Sequence, residues 1–137
     1  MTVVDASTVL AWLLPYEPSE EVERLLSESK SGGLCAPAIF ALETANGLRT
    51  KIRQGRITPE FRDLALDRLD ELGVEIDAQA WPLARLRAVV ALSDRHGLTV
   101  YDAGYLELAV RLGAALATLD RDLAAAARAE RLEVRTA

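Results

Sequence analysis

Thr2-Val3-Val4-Asp5-Ala6-Ser7-Thr8 stands almost at the head of the chain, and its reading decides the fold. A β-favouring run ends in Asp-Ala-Ser, after which Val9, Leu10, Trp12, Leu13 and Leu14 supply an apolar helical stretch that Pro15 stops. The reading is strand, turn, short helix. Outward from it the same alternation recurs. A helix is expected from about Ser19, with Glu20 and Glu21 in its first turn and Val22, Leu25 and Leu26 at helical spacing, to the Ser31–Gly33 stop. Leu34–Ala36 is a strand, and Pro37 opens a helix that carries Ile39, Phe40, Glu43, Leu48 and Ile52 before ending near Gly55. Thr58-Pro59-Glu60 is an N-cap followed by proline at the first helical position, for a helix through Leu64, Leu66 and Leu69 to Gly73.

Val74–Ile76 is the third strand candidate, and the stretch from Ala80 to Arg95 is helical despite Pro82, closed by His96 and Gly97. Tyr101 to Leu112 reads as an amphipathic helix capped by Gly113, with Tyr105, Leu106, Ala109 and Leu112 as its inward positions. Ala115–Thr118 is a fourth strand, Arg121–Arg131 an alanine-rich helix, and a last strand lies near Val134. Short strands alternating with helices imply a parallel sheet covered on both faces, so the class is α/β of the doubly wound type. Ligands of such sheets gather beyond the carboxyl ends of the strands. Asp5 lies at such an end and Asp120 just past another.

At 137 residues the chain fits a single domain, residues 1–137, with one core. Half of it is hydrophobic and 27% charged, the composition of a soluble globular protein. No apolar run is long enough to span a bilayer and no export leader is recognisable, so a cytoplasmic location and no membrane partner are expected. Cys35, the only cysteine, sits in the apolar run LCAPA and reads as a small buried side chain. The net charge of −5 argues against a protein that holds nucleic acid through a broad basic face. It leaves room for a nuclease, because a bound cation inverts the local sign of an acidic site.

Four acids fall where apolar elements change to turns or along buried faces: Asp5, Glu43, Asp102 and Asp120. Each has a structural explanation. Asp5 reads equally as the N-cap of the helix that follows, and Asp102 as an acid at a helix N-terminus. Asp120 and Asp122 both precede an alanine-rich helix, so one of them is a cap. Glu43 is hardest to explain so, since Ile39, Phe40 and Leu48 place it on or beside the apolar stripe of its helix. Ser7 and Thr118 add hydroxyls at two strand ends. Carboxylates set against apolar surroundings call for a shared positive partner. With carboxylate donors and no histidine or cysteine beside them, that partner is a hard cation, Mg²⁺ or Mn²⁺. Such sites commonly bind phosphates and activate water for attack on a phosphodiester. His96, the only histidine, reads as a helix-end residue, and no phosphate-binding glycine loop is present.

DAST after the first strand, the block APAIFALETANGLRTKIRQGRIT, LTVYDAGYLELA and LATLDRDL occur in that order across nearly the whole chain. This ordered set resembles the PIN-domain ribonucleases, and within them the VapC-like toxins of bacterial toxin–antitoxin pairs. The resemblance implies a three-layer α/β/α fold with a five-stranded parallel sheet of order 3-2-1-4-5. It implies an endoribonuclease that uses Mg²⁺ or Mn²⁺, leaves 5′-phosphate and 3′-hydroxyl ends, forms a homodimer and is neutralised by a VapB-like antitoxin. Matched position by position, it makes Asp5, Glu43, Asp102 and Asp120 the metal-site acids, Asp122 an accessory acid and Thr118 a hydroxyl near the site.

RNA needs cations, and Arg49, Lys51, Arg53 and Arg56 follow Glu43 on the same helix and its end. Arg49 and Arg53 are the candidates for RNA contact, with a solvated helix face as their alternative. Tyr16, Trp12 and Trp81 could stack on bases, although apolar packing or partner surfaces explain them better. Three other readings compete. A phosphatase of the haloacid dehalogenase type wants a second acid two residues after the first, where Ser7 stands. A receiver domain needs a late lysine at a strand end, and the only lysines are Lys30 and Lys51. A PIN-like RNA-binding module without catalysis would be expected to lack one of the four acids.

Overall fold

In the computed structural model, which describes residues 1–16, 20–77 and 83–137, strands and helices alternate from the start. β1 (Thr2–Val4) is followed by α1 (Ala6–Leu13) and α2 (Glu20–Lys30), then β2 (Leu34–Ala36), α3 (Ile39–Arg53) and α4 (Pro59–Leu72). β3 (Glu75–Ile76), α5 (Leu83–His96), α6 (Val100–Leu112), β4 (Ala115–Ala117), α7 (Arg121–Ala129) and β5 (Val134–Arg135) complete the order. The helix starts assigned to Ser19 and Ala80, together with Pro82 and Trp81, lie outside the described residues.

All five strands are parallel and ordered β3-β2-β1-β4-β5, so the expected three-layer α/β architecture and strand order are present. β1 is central, with Val3 opposite Cys35 on one side and Leu116 on the other. Val3, Val4, Ala36, Leu116 and Ala117 are wholly buried, as a sheet covered on both faces requires. Full burial of an aliphatic side chain contributes about 1.5–3 kcal/mol, and β1 and β4 concentrate such residues at the centre. The chain leaves β1 toward β2 and later returns on its other side at β4, which makes the carboxyl ends of β1 and β4 the switch point. This order differs from the 2-1-3-4-5 sheet of flavodoxin-like receiver folds.

Helix ends follow the local chemistry. Thr58 accepts from Phe61 N at 3.1 Å with Pro59 in the first turn, and Gly73 closes α4 at φ 70°. Along α4 the buried positions are Ala65 and Leu72, with Phe61 and Leu69 packed partly beside them, so Leu64 and Leu66 face outward. Two leucines of the expected stripe thus belong to another face of the wheel.

α6 also departs from expectation. Thr99 caps it by accepting from Asp102 N at 3.1 Å, so the helix starts at Val100 and Asp102 sits inside its first turn. Residues 103–109 are all buried. A helix wedged among α5, α7 and the sheet is covered all round rather than on one stripe. Leu112, at its last turn, projects past that cover and is exposed. Cys35 is buried as expected, and burial raises its thiol pKa. His96 packs at the end of α5, its Nε2 2.7 Å from Glu130 Oε1 on the cap of α7. It is a helix-end residue in a structural contact. Among the described residues no helix is long and apolar enough to cross a membrane.

Candidate active site

Asp5 stands at the tip of β1, where its backbone N–H donates to Ala117 O at 3.2 Å and ties it to the end of β4. Its extended backbone ends the strand, and its side chain caps α1 by accepting from Thr8 N at 3.0 Å. Ser7 Oγ and Thr8 Oγ1 also donate to Oδ1, at 2.8 and 2.9 Å, while the Thr118 hydroxyl donates to Oδ2. The cap reading is therefore correct, and it does not use up the carboxylate. Oδ1 is filled by three donors, whereas Oδ2 has one and keeps a lone pair available. Burial raises the pKa of Asp5 above the usual carboxylate value even against these four hydrogen bonds. An ionised Asp5 is a charge in want of a cation.

Thr118 links two parts of the site. Its hydroxyl donates to Asp5 and accepts from Asp120 N at 3.0 Å. Asp120 is the N-cap of α7, with Oδ1 taking Asp122 N and Leu123 N, both at 2.9 Å. Of the two acids before that helix, Asp120 is the cap, and Asp122 is exposed in the first turn. Glu43 projects from α3 and accepts at Oε1 from the Tyr105 hydroxyl at 2.7 Å. Tyr105 is 1% exposed; burial first, then its hydrogen bond to Glu43, pushes its ionisation far above the ordinary tyrosine range. It stays a proton donor to Glu43 throughout the stable pH range.

Asp102 joins the acids electrostatically. Its pKa is raised by burial, then by the charges of Asp120, Glu43 and Asp5, with the Thr99 hydrogen bond opposing. Carboxylates from three other segments thus act on Asp102 around the carboxyl ends of β1 and β4. Among the described residues no three acidic, histidine or cysteine side chains close into a ready-made metal cage. The charges of Asp120, Glu43 and Asp5 all reach Asp102. A hard cation such as Mg²⁺ keeps several waters and takes only some of its ligands directly from carboxylates. The all-oxygen donor set fits such an ion and no softer one.

A family model described as PIN domain matches residues 2–129. The chain belongs to the PIN-domain family. Ribonuclease VapC3 of Pyrobaculum aerophilum is 37% identical to this PIN domain over 122 residues, 89% of this chain and 91% of that protein. Ribonuclease VapC1 of Mycobacterium tuberculosis is also 37% identical, over 125 residues that make up 90% and 89% of the two chains. The chain is therefore a VapC-like PIN domain. The crystal structure of PAE2754 from Pyrobaculum aerophilum matches with a TM-score of 0.69 at 24% identity, covering 91% of this chain and 84% of that one, and speaks for the fold.

In this PIN domain the hydroxyls of Ser7 and Thr118 are bonded to Asp5, and Asp102 feels the charges of Asp5, Glu43 and Asp120, while Asp122 is exposed in the first turn of α7. Arg49 and Arg53 lie instead on exposed surface in the last turns of α3, while Glu43 lies toward its start. Sequence reasoning missed Thr8 and Tyr105. Thr8 was legible as the i+3 partner of a capping aspartate. Tyr105 was taken as core, yet a buried phenol needs a hydrogen-bond partner, and a buried-face glutamate was at hand. Tyr105→Phe removes only the hydroxyl. It is expected to lower any activity at this site by about 10-fold or more, the scale for losing an orienting partner of a ligand. Stability should change by only about 1 kcal/mol. Turnover and thermal melting of the two proteins, measured side by side, check the split.

Proposed function

We propose that the chain is a Mg²⁺- or Mn²⁺-dependent endoribonuclease toxin, held in check by a VapB-like antitoxin. The observation that carries this reading is the raised Asp102 carboxyl, opposed by Asp120, Glu43 and Asp5 at the switch point of a PIN-domain sheet. The 37% identity to two proteins named ribonucleases supports RNA as the substrate.

Asp5, Glu43 and Asp102 would hold the principal cation, with Asp120 beside them and Asp122 as an accessory acid. When bound, such an ion lowers the pKa of a water and offsets charge on the scissile phosphate. The chain's own part is positional. Ser7 and Thr8 fix Asp5 at Oδ1 and Thr118 fixes it at Oδ2, and Tyr105 fixes Glu43. Thr118 holds the Asp120 backbone in register with Asp5. Asp120 would orient the attacking water by accepting its hydrogen bond, and the products would carry 5′-phosphate and 3′-hydroxyl ends.

An apolar surface supports the homodimer. Ile39, Leu86, Val89, Val100, Tyr101 and Gly104 line a groove of about 190 Å³ between α3, α5 and α6, with Leu42 and Val90 exposed on those helices. The acidic site itself suits an antitoxin that brings a basic side chain to it. Purified protein incubated with single-stranded RNA should cut it with Mg²⁺ or Mn²⁺, stop in EDTA and resume with excess Mn²⁺. RNA that binds but stays whole under every metal condition would instead make this a binding module. The phosphatase reading has lost its ground, because the chain matches a PIN domain over residues 2–129 and position 7, where that chemistry wants an acid, is a serine. The receiver reading fails likewise, since Lys30 reaches Glu71 O and Lys51 lies over Tyr16, neither at the acids.

A further inference from the structure

A second cluster occupies the far ends of α1 and α3. Lys51 Nζ lies 5.8 Å and Arg56 Cζ 5.3 Å from the centroid of the Tyr16 ring, which is 42% exposed. Several other surface arginines find acids: Arg24 pairs with Glu28, Arg62 with Asp63, Arg68 with Glu23 and Arg95 with Glu130. Among the described residues Lys51 and Arg56 have no carboxylate partner, although the chain carries an excess of acid. Two cations sharing one aromatic ring, neither paired with a carboxylate among the described residues, can receive an anion from outside.

The placement says which anion. α1 starts from its cap Asp5 and α3 carries Glu43 near its start; midway, a β-carbon at Gly47 would run into the Leu10 side chain, so the helices pack closely there. At the other end Tyr16, just past α1, meets Lys51 of α3. The two helices therefore run side by side from the acids to the basic and aromatic cluster. Between Glu43 and Lys51 α3 advances about 12 Å, within reach of a short extended strand. A flexible polyanion with flat bases matches both ends of this track; an acidic peptide would match only one.

We propose that Tyr16, Lys51 and Arg56 form an anchoring subsite for single-stranded RNA, the cations holding a backbone phosphate and the Tyr16 ring stacking on an unpaired base. The subsite rests on the ribonuclease reading. It replaces Arg49 and Arg53 as the principal contact, since those two lack the aromatic platform. Stacking on an aromatic side chain is tolerant of sequence, and phosphate contacts appear in the salt dependence of binding.

The test is anisotropy of a labelled single-stranded RNA, titrated at several salt concentrations with an Asp102→Asn background in which cutting is slowed on the order of 10²- to 10³-fold. Lys51→Gln and Arg56→Gln should each raise Kd by roughly three- to ten-fold and reduce the logarithmic salt slope by about 0.7 for each phosphate that is no longer neutralised. Tyr16→Leu should raise Kd without changing the slope, and Lys51→Arg should restore binding. All should melt within a few degrees of the background, since the residues are at the surface. If the background binds RNA and the three variants bind it equally well with equal slopes, the subsite is refuted while the ribonuclease reading stands. If the variants lose antitoxin binding and keep RNA binding, the cluster belongs to a protein partner and the proposal falls. If wild type neither binds nor cuts RNA, both fall together.

Discussion

Asp102→Asn is expected to lower RNA cleavage by on the order of 10²- to 10³-fold, the scale for losing one preorganised electrostatic group, while raising the melting temperature of the metal-free protein. The two effects have one cause. Asp102 carries a raised pKa because burial and three neighbouring carboxylates disfavour its charge. Its folded-state value lies above the unfolded one, so the penalty is present at neutral pH and eases as the pH falls through the folded value. Asparagine removes it at every pH and keeps nearly the same shape. Thr99 still caps α6 through the backbone N–H of residue 102, so the helix start is preserved. Added Mn²⁺ should stabilise wild type by linkage and the variant much less. A variant that loses activity and stability together would point to damage to the fold rather than to the site.

Arg111→Met is expected to destabilise the protein by about 3 kcal/mol, the lower end of the range for breaking a largely buried ion pair, with cleavage per folded molecule unchanged. Arg111 Nη2 lies 2.7 Å from Asp77 Oδ2 and its Nε 2.9 Å from Glu107 Oε1. The Glu107 side chain is only 8% exposed, so without the guanidinium it is left as a buried, unpaired carboxylate. Asp77 and Arg111 are 19% and 25% exposed, which screens part of the loss and keeps the estimate low. Because Asp77 directly follows β3, the pair also joins an edge strand to the central helix. For a domain of this size the loss corresponds to a fall of roughly 10 °C in Tm. Adding Glu107→Leu should recover much of it, since an apolar pair replaces the stranded charge; no recovery would contradict this account of the contact.

The elements that carry the site were legible because their signals are local. Val3 and Val4 followed by Asp-Ala-Ser read as a strand tip, and Thr58-Pro59 and Gly113 mark helix ends without help from the rest of the chain. The all-parallel sheet followed from alternation, whereas its order came from the family resemblance. What was not legible depends on neighbours distant in sequence. α6 looked amphipathic because its neighbours α5 and α7 cover faces that a single helical wheel cannot assign. Leu64 and Leu66 looked inward because they are leucines, yet the face that meets the core is set by Ala65 and Leu72.

The candidate site divides in the same way. Asp5 and Asp120 could be placed from the strand ends alone, and both prove to be helix caps as well. The Tyr105 bond to Glu43 spans 62 residues and the Thr118 bond to Asp5 spans 113, so neither pairing is written in local spacing. The cations follow the same division. Arg49 and Arg53 share a helix face on a wheel, but only the folded chain brings Tyr16 to Lys51 and Arg56.

We propose that Asp5, Glu43, Asp102 and Asp120 share a divalent cation, which would offset the charges that act on Asp102. Calorimetric titration of Mn²⁺ into metal-free wild type and Asp102→Asn measures that directly. Saturable binding to wild type, with affinity at least about ten-fold weaker in the variant, is the result predicted. Wild type that takes up no Mn²⁺, or a variant that binds it equally well, would contradict the account.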